Sequence, residues 1–153
     1  MSDPTILERL QADMTAAMKA KDADTLGTLR MLKSALMEAK TRKPKDATLS
    51  ADEEIEVLQR YAKKRREAIE ELKKLGRDDL AAREEVEIVV TTRYLPLAIS
   101  EDELRAIVKA AVVSTGALSP REMGKVVSAV MPQVRGRTEG GTVARLVKEA
   151  LGG

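Results

Sequence analysis

The stretch Ser119–Leu151, SPREMGKVVSAVMPQVRGRTEGGTVARLVKEAL, decides how the chain is read. Met123, Val126, Val127, Val130 and Met131 recur at i, i+3, i+4, i+7 and i+8, and Val143, Leu146, Val147, Ala150 and Leu151 repeat that spacing. Each set marks one face of a 3.6-residue helix. Ser119-Pro120-x-Glu122 predicts a capping box with proline at the first helical position, where a missing N–H does no harm. Pro132 predicts the end of the first of the two helices, because its ring obstructs the preceding turn. Between them, Gln133–Gly141 reads as a loop with Arg135 and Arg137 flanking Gly136. A helix, a basic loop and a second helix suit a structured RNA. They offer no catalytic centre.

Upstream the same period continues. Leu104, Ile107, Val108, Ala111 and Val112 form a third short helix, opened by a Ser100-x-x-Glu103 box and stopped at Gly116. Four longer helices precede these three. The first is expected to begin at Ser2 or Asp3 with Pro4 at its first position, and its stripe is Ile6, Leu7, Leu10, Met14, Ala17 and Met18. Asp24 is the expected cap of the second, which runs to about Thr41. Ser50-x-x-Glu53 opens a third helix, Ala51 to about Leu75, with Gly76 as a left-handed cap. The fourth starts at Asp78 or Asp79 and stops at Pro96. Val86–Thr92 (VEIVVTT) is rich in β-branched residues, but its flanks are helical and helix is expected there too. The expected fold is all-α: an N-terminal bundle of about four helices, residues 1–96, and a small three-helix tail, residues 97–153.

Composition narrows the chemistry. The chain has no Cys and no His, so thiol catalysis, zinc–cysteine sites and Ser–His triads are excluded. No catalytic residue, metal ligand set or cofactor motif is expected; GRTEGG lacks the spacing and the Lys-Ser/Thr of a phosphate loop. No apolar run approaches the ~18–20 residues that span a bilayer, and the acidic start has no signal-peptide core, so a cytoplasmic location without membrane contact is expected. Net charge is only +2, from 27 basic and 25 acidic residues, so any nucleic-acid affinity must be local.

Charged residues on apolar faces are the next signal. At 100° per residue Arg65 falls mid-stripe among Leu58, Tyr61, Ile69 and Leu72. Glu84 falls among Leu80, Ile88, Thr91 and Leu95, with Glu87 at the edge. A structural ion pair of Arg65 with Glu84 or Glu87 between antiparallel helices is expected; the alternative is an arginine facing a groove for an anion. The expected nucleic-acid contacts are Lys125, Arg135, Arg137, Arg145 and Lys148, cations beside loose loop donors. Arg30 and Lys33, in a stripe with Lys40, are weaker candidates, since long basic chains commonly lie along the rim of a core. Eight basic against six acidic residues after Pro96 leave the tail itself at +2. Stacking readers of single strands are disfavoured by an aromatic content of 1%.

Several segments together carry a resemblance: YAKKRREAIEELKKLGRDDLAAREEVEIVVTTRYLP, SEDEL, GALSPREMGKVVSAVMPQVRGRTEGGTVARLVKEAL and, around Arg30, TLRMLKSAL. Over about Leu7–Leu151 the chain resembles the GatB/YqeY family as a free-standing member, with Tyr94-Leu95-Pro96 and Met123-Gly124-Lys125 as the distinctive elements. Glu122 and Glu139 stand where Asp is common in that family, and charge is preserved at both. The resemblance implies a helical domain and tail like those of the GatB subunit of tRNA-dependent amidotransferase, where the tail helps hold tRNA and the amide chemistry is done elsewhere. Similar modules are appended to some glutaminyl-tRNA synthetases. The implied function is a non-catalytic tRNA-binding accessory module, its partners tRNA or other structured RNA and a synthetase or amidotransferase subunit. The alternatives are a protein-interaction module or a subunit of a carbon–nitrogen ligase with glutamine as amido-N donor.

Overall fold

The computed structural model describes residues 3–153, in seven α-helices and one 3-10 turn, with no strand among the described residues. The helices are α1 (Ile6–Lys19), α2 (Ala23–Thr41), α3 (Ala51–Lys74), α4 (Asp78–Thr92), α5 (Glu101–Thr115), α6 (Met123–Val134) and α7 (Gly140–Ala150), with the 3-10 turn at Pro120–Glu122. They form two compact units, one ending at Leu95 and one spanning Pro96–Gly153. The β-rich run Val86–Thr92 is helical, with Val90 and Thr91 buried on one face and Val86 and Val89 exposed on the other.

In the N-terminal unit α1 pairs with α2 and α3 with α4, and α2 touches both members of the second pair. Its core is Ile6, Leu10, Ala17, Leu29, Leu32, Leu36, Leu58, Val90 and Tyr94. Met18, placed in the apolar stripe by spacing, is instead 58% exposed. The α3–α4 turn is closed by glycine. Gly76 has φ +71°, its N–H reaches the Lys73 carbonyl and the Arg77 N–H reaches that of Leu72, so two end carbonyls of α3 are satisfied.

Helix starts in this unit differ from the sequence reading in two places. Of the caps expected for α1, Ser2 lies outside the described residues and Asp3 and Pro4 precede the helix. Thr5 caps it, its Oγ accepting from the Glu8 N–H at 3.1 Å. The first two donors of the helix are satisfied from 48 and 47 residues away. Glu54 of α3, 3% exposed, accepts from the Ile6 N–H at 3.1 Å and the Leu7 N–H at 2.9 Å. The α2 cap is Asp22, not Asp24, because Asp22 Oδ1 is the acceptor that reaches the Thr25 N–H, at 3.2 Å.

The Ser50–Glu53 capping box is complete, and Lys43 Nζ stands 2.6 Å from the same Glu53 carboxylate. The Lys43 hydrogen bond, followed by the Ser50 N–H, holds Glu53 at a pKa of about 2, below the usual 4.5. A lowered acid pKa means that its contribution to stability is present above 4.5 and is lost as pH falls toward 2. Lys43→Ala is expected to raise the Glu53 pKa toward 4.5, read by carboxyl NMR titration.

The tail is an up-down-up bundle in which α7 runs parallel to α5 and both oppose α6. The pairs Glu101–Arg145 and Arg105–Glu149 fix that direction, since both numbers rise together. Its core is aliphatic: Leu104, Val108, Val126, Val130, Val134, Val143, Leu146 and Val147 are all at most 2% exposed. Pro132 does not end α6. It sits on an exposed flank while Val130 and Val134, one turn apart, are fully buried, and their burial carries the helix past the proline. Ala150, expected inside, is exposed.

Candidate nucleic-acid interface

The candidate cations of the tail divide between the two ends of the bundle. At one end lies the loop joining α6 to α7. Gly136 is buried there with φ +81°, a conformation that suits glycine. The Arg137 N–H donates to the Val134 carbonyl at 2.8 Å, and the Arg137 carbonyl accepts from the Ile99 N–H at 3.0 Å. Its guanidinium donates to the Leu97 carbonyl at 2.9 Å and lies 3.7 Å from Glu103. The backbone donors expected to be loose at Arg137 are therefore used, and this side chain ties residues 97–103 to the loop. Arg135 is half-buried and also engaged.

Arg145 is likewise committed. Its guanidinium donates to Glu101 and, at 3.2 Å, to Glu149, while Arg105 approaches the same two acids at 3.7 and 3.1 Å. Two arginines and two glutamates thus alternate across the α5–α7 seam. Hydrogen bonding to Arg145 holds Glu101 below the usual carboxylate range, and the same bond pushes Arg145 up. All four are about half exposed, so solvent screening leaves the network a weak contributor to stability.

The opposite end is built differently. The expected Ser119–Glu122 box does not form: Ser119 caps through its carbonyl, which takes the Glu122 N–H at 3.0 Å in the 3-10 turn. The Glu122 carboxylate reaches further back, to the Leu118 N–H at 2.6 Å, and pairs with Lys125 at 2.9 Å. Those two contacts, the Leu118 N–H first, hold Glu122 below its ordinary pKa. The Ser100 box is half made, with Ser100 accepting from the Glu103 N–H while the Glu103 side chain faces Arg137.

α7 finishes against this turn. Gly152 closes it with φ +85°, and a Cβ placed on Gly153 would lie 2.9 Å from the Lys148 side chain and 3.2 Å from Pro120. Lys148 and the residue after Pro120, Arg121, therefore share one end of the tail with Lys125. Lys148, Arg121 and Lys109, the last one turn beyond Arg105 on α5, are exposed and have no acidic partner among the described residues. Arg121 and Lys109 escaped the sequence reading, which weighed the loop glycines. The signal was present in the absence of an acid at i±3 or i±4 facing either side chain on its own helix, although Arg105 sits at i−4 from Lys109.

In the N-terminal unit, Arg65 Nη1 lies 3.5 Å from Glu84 Oε2 and 4.0 Å from Glu87 Oε2. The Arg65 guanidinium also sits 5.0 Å over the Tyr61 ring, whose hydroxyl donates to Glu87 at 3.2 Å. Burial and then Glu87 push Tyr61 up to about 12. Burial, and next the neighbouring Glu87, raise Glu84 above the usual carboxylate range against the pull of Arg65. Arg65 is thus inside a helix–helix contact rather than free for a phosphate. Lys33 donates to Gln11 Oε1 at 2.8 Å, Lys40 is half-buried and Arg30 is exposed. Tyr94 is 5% exposed, donates to Asp13 and lies under the Arg9 guanidinium at 5.0 Å. Burial first and Asp13 second raise its pKa. No helix among the described residues is long and apolar enough to cross a membrane.

The chain is similar, at 29% identity over 96% of its length and 81% of the relative's, to the protein of Pyrenophora tritici-repentis named altered inheritance of mitochondria protein 41, mitochondrial. It is also similar, at 32% identity over 61% of its length and 74% of the relative's, to an uncharacterized protein of Schizosaccharomyces pombe. The family described as Yqey-like protein matches residues 7–151, both units together, and the chain belongs to that family.

Proposed function

We propose that this chain is a non-catalytic accessory module that binds tRNA or a similarly folded RNA through the basic end of its tail. The observation that carries the reading is that Arg121 and Lys148, both exposed and without acidic partners among the described residues, stand at the end of the tail where α7 finishes beside Pro120. Lys125 and Lys109 extend the patch. The tail has no aromatic residue, because both tyrosines lie before Pro96, so recognition rests on phosphates and shape rather than base stacking. The resemblance to the GatB tail supplies the ligand class.

The test is a fluorescence titration of folded tRNA, against an unstructured oligonucleotide of equal length, at several salt concentrations. Binding is expected to favour the folded RNA and to weaken with salt at a slope reflecting roughly three or four phosphates. No binding at low salt removes the reading. A second reading, docking on a synthetase or amidotransferase subunit, is favoured by Leu118 and Val113, which stand 91% and 79% exposed near the same end. Its mark is co-purification with such a protein after nuclease treatment.

A further inference from the structure

A groove of about 950 Å³ opens in the N-terminal unit between the first half of α2, the end of α3 and α4. Its apolar lining includes Met31 and Val86, 52% and 54% exposed, with Leu72 and Leu80 deeper. Methionine and aliphatic side chains left in water along a concave surface are suited to a partner's apolar face. Gly27 lines the groove from the second turn of α2, exposed, and a Cβ added there meets nothing within 4 Å. Glycine in a helix interior costs about 1 kcal/mol relative to alanine, and packing within this unit gives no reason for it.

The charges on the walls choose the occupant. Asp24, Glu84 and Glu87 line the groove against one lining base, Arg83. Behind the wall one guanidinium, Arg65, is shared between Glu84 and Glu87, with the Tyr61 hydroxyl donating to Glu87, so three acids face two bases and the groove stays net acidic. An RNA backbone would meet three carboxylates here and is disfavoured. We infer that the groove docks an amphipathic helix of a partner protein, its apolar stripe over Gly27 between Met31 and Val86, with a lysine or arginine set against Glu84 and Glu87. This site is in a different unit from the proposed RNA surface and does not depend on it.

The probe is a fluorescent model helix about five turns long, with leucines on one face and arginines flanking them, beside a twin carrying glutamates in place of the arginines. Both are titrated into the full chain by anisotropy. The arginine helix is expected to bind at least roughly tenfold tighter than its twin, about 1.4 kcal/mol. Gly27→Leu is expected to weaken it at least tenfold while leaving tRNA binding unchanged. Gly27→Leu adds its side chain to open space, and Gly27→Ala, expected to raise the melting temperature, checks that α2 accepts a side chain there. The Glu84→Gln/Glu87→Gln double variant is expected to lose the preference for arginine. Equal binding of the twins, no saturable binding of the arginine helix, or binding indifferent to Gly27→Leu would overturn the inference.

Discussion

Replacing Glu54 by alanine is expected to destabilise the N-terminal unit by about 2–4 kcal/mol, the largest effect of any single polar substitution outside the tail. Glu54 is nearly inaccessible, and its two carboxylate oxygens each take one N–H at the start of α1. Removing it leaves one buried and one part-buried donor with no acceptor, at roughly 1–3 kcal/mol for the buried one and less for the other. It also removes a negative charge from the positive end of a helix dipole. In a unit of this size the loss corresponds to a fall in melting temperature of about 10–20 °C. Glu54→Gln keeps one acceptor oxygen and is expected to lie between the two. Urea unfolding gives the energies, and hydrogen exchange at Ile6 and Leu7 locates the cause. A change of under about 0.5 kcal/mol for Glu54→Ala would show that α1 does not depend on α3 for its cap.

Arg65→Met is expected to cost about 1–3 kcal/mol at neutral pH, and the cost should shrink in acid. The substitution leaves Glu84 and Glu87 facing one another, three-quarters covered, without their counter-charge. Breaking a fully buried pair costs about 3–5 kcal/mol, and the partial exposure of this one reduces that figure. The sign follows from the direction of the shift. Glu84 already has a raised pKa with Arg65 present, so its ionised form is disfavoured in the fold. Stability tied to such an acid is present below its unfolded pKa and is lost as pH rises through the folded one. Without Arg65 the rise at Glu84 is larger, because the opposing pull of the guanidinium is gone. The difference between variant and wild type should therefore be greatest at pH 7 and smallest near pH 4. A deficit independent of pH would point to lost packing on Tyr61 in place of lost charge.

Most contacts within a turn or two were legible in the sequence, the Ser119–Glu122 box apart; most contacts across the fold, the Arg65–Glu84 ion pair apart, were not. The Ser50–Glu53 box and the Gly76 cap are written in residues three or four apart, and the structure forms them. The cap of α1 was misplaced because its acceptors are Thr5 and Glu54, and nothing local marks a glutamate 48 positions away. Glu54 read as one more acid in a dipole-friendly first turn. Pro132 was given too much weight: the rule against proline concerns a lost N–H and a clash, and burial of Val134 outweighed both on an exposed flank.

The candidate RNA surface shows the same limit. Arg135, Arg137 and Arg145 qualify by charge, but charge alone does not say which cations are already spent on neighbours. Arg137 is spent on Leu97 and Glu103, 40 and 34 residues distant in sequence, and Arg145 on Glu101, 44 residues distant, as well as on Glu149 one turn away. Lys148 was found because it lies on a polar face. Arg121 joins it only once α7 is seen to finish beside Pro120.

The most direct measurement is a tRNA titration of the Arg121→Glu/Lys148→Glu double variant beside an Arg145→Glu variant, with circular dichroism on each. The double variant is expected to keep its helicity and lose at least roughly tenfold in affinity, two reversed charges at phosphate contacts. Arg145→Glu breaks an internal network and is expected to change affinity less than the double variant does. Unchanged affinity in the folded double variant, or a greater loss from Arg145→Glu, would contradict RNA binding at this end of the tail.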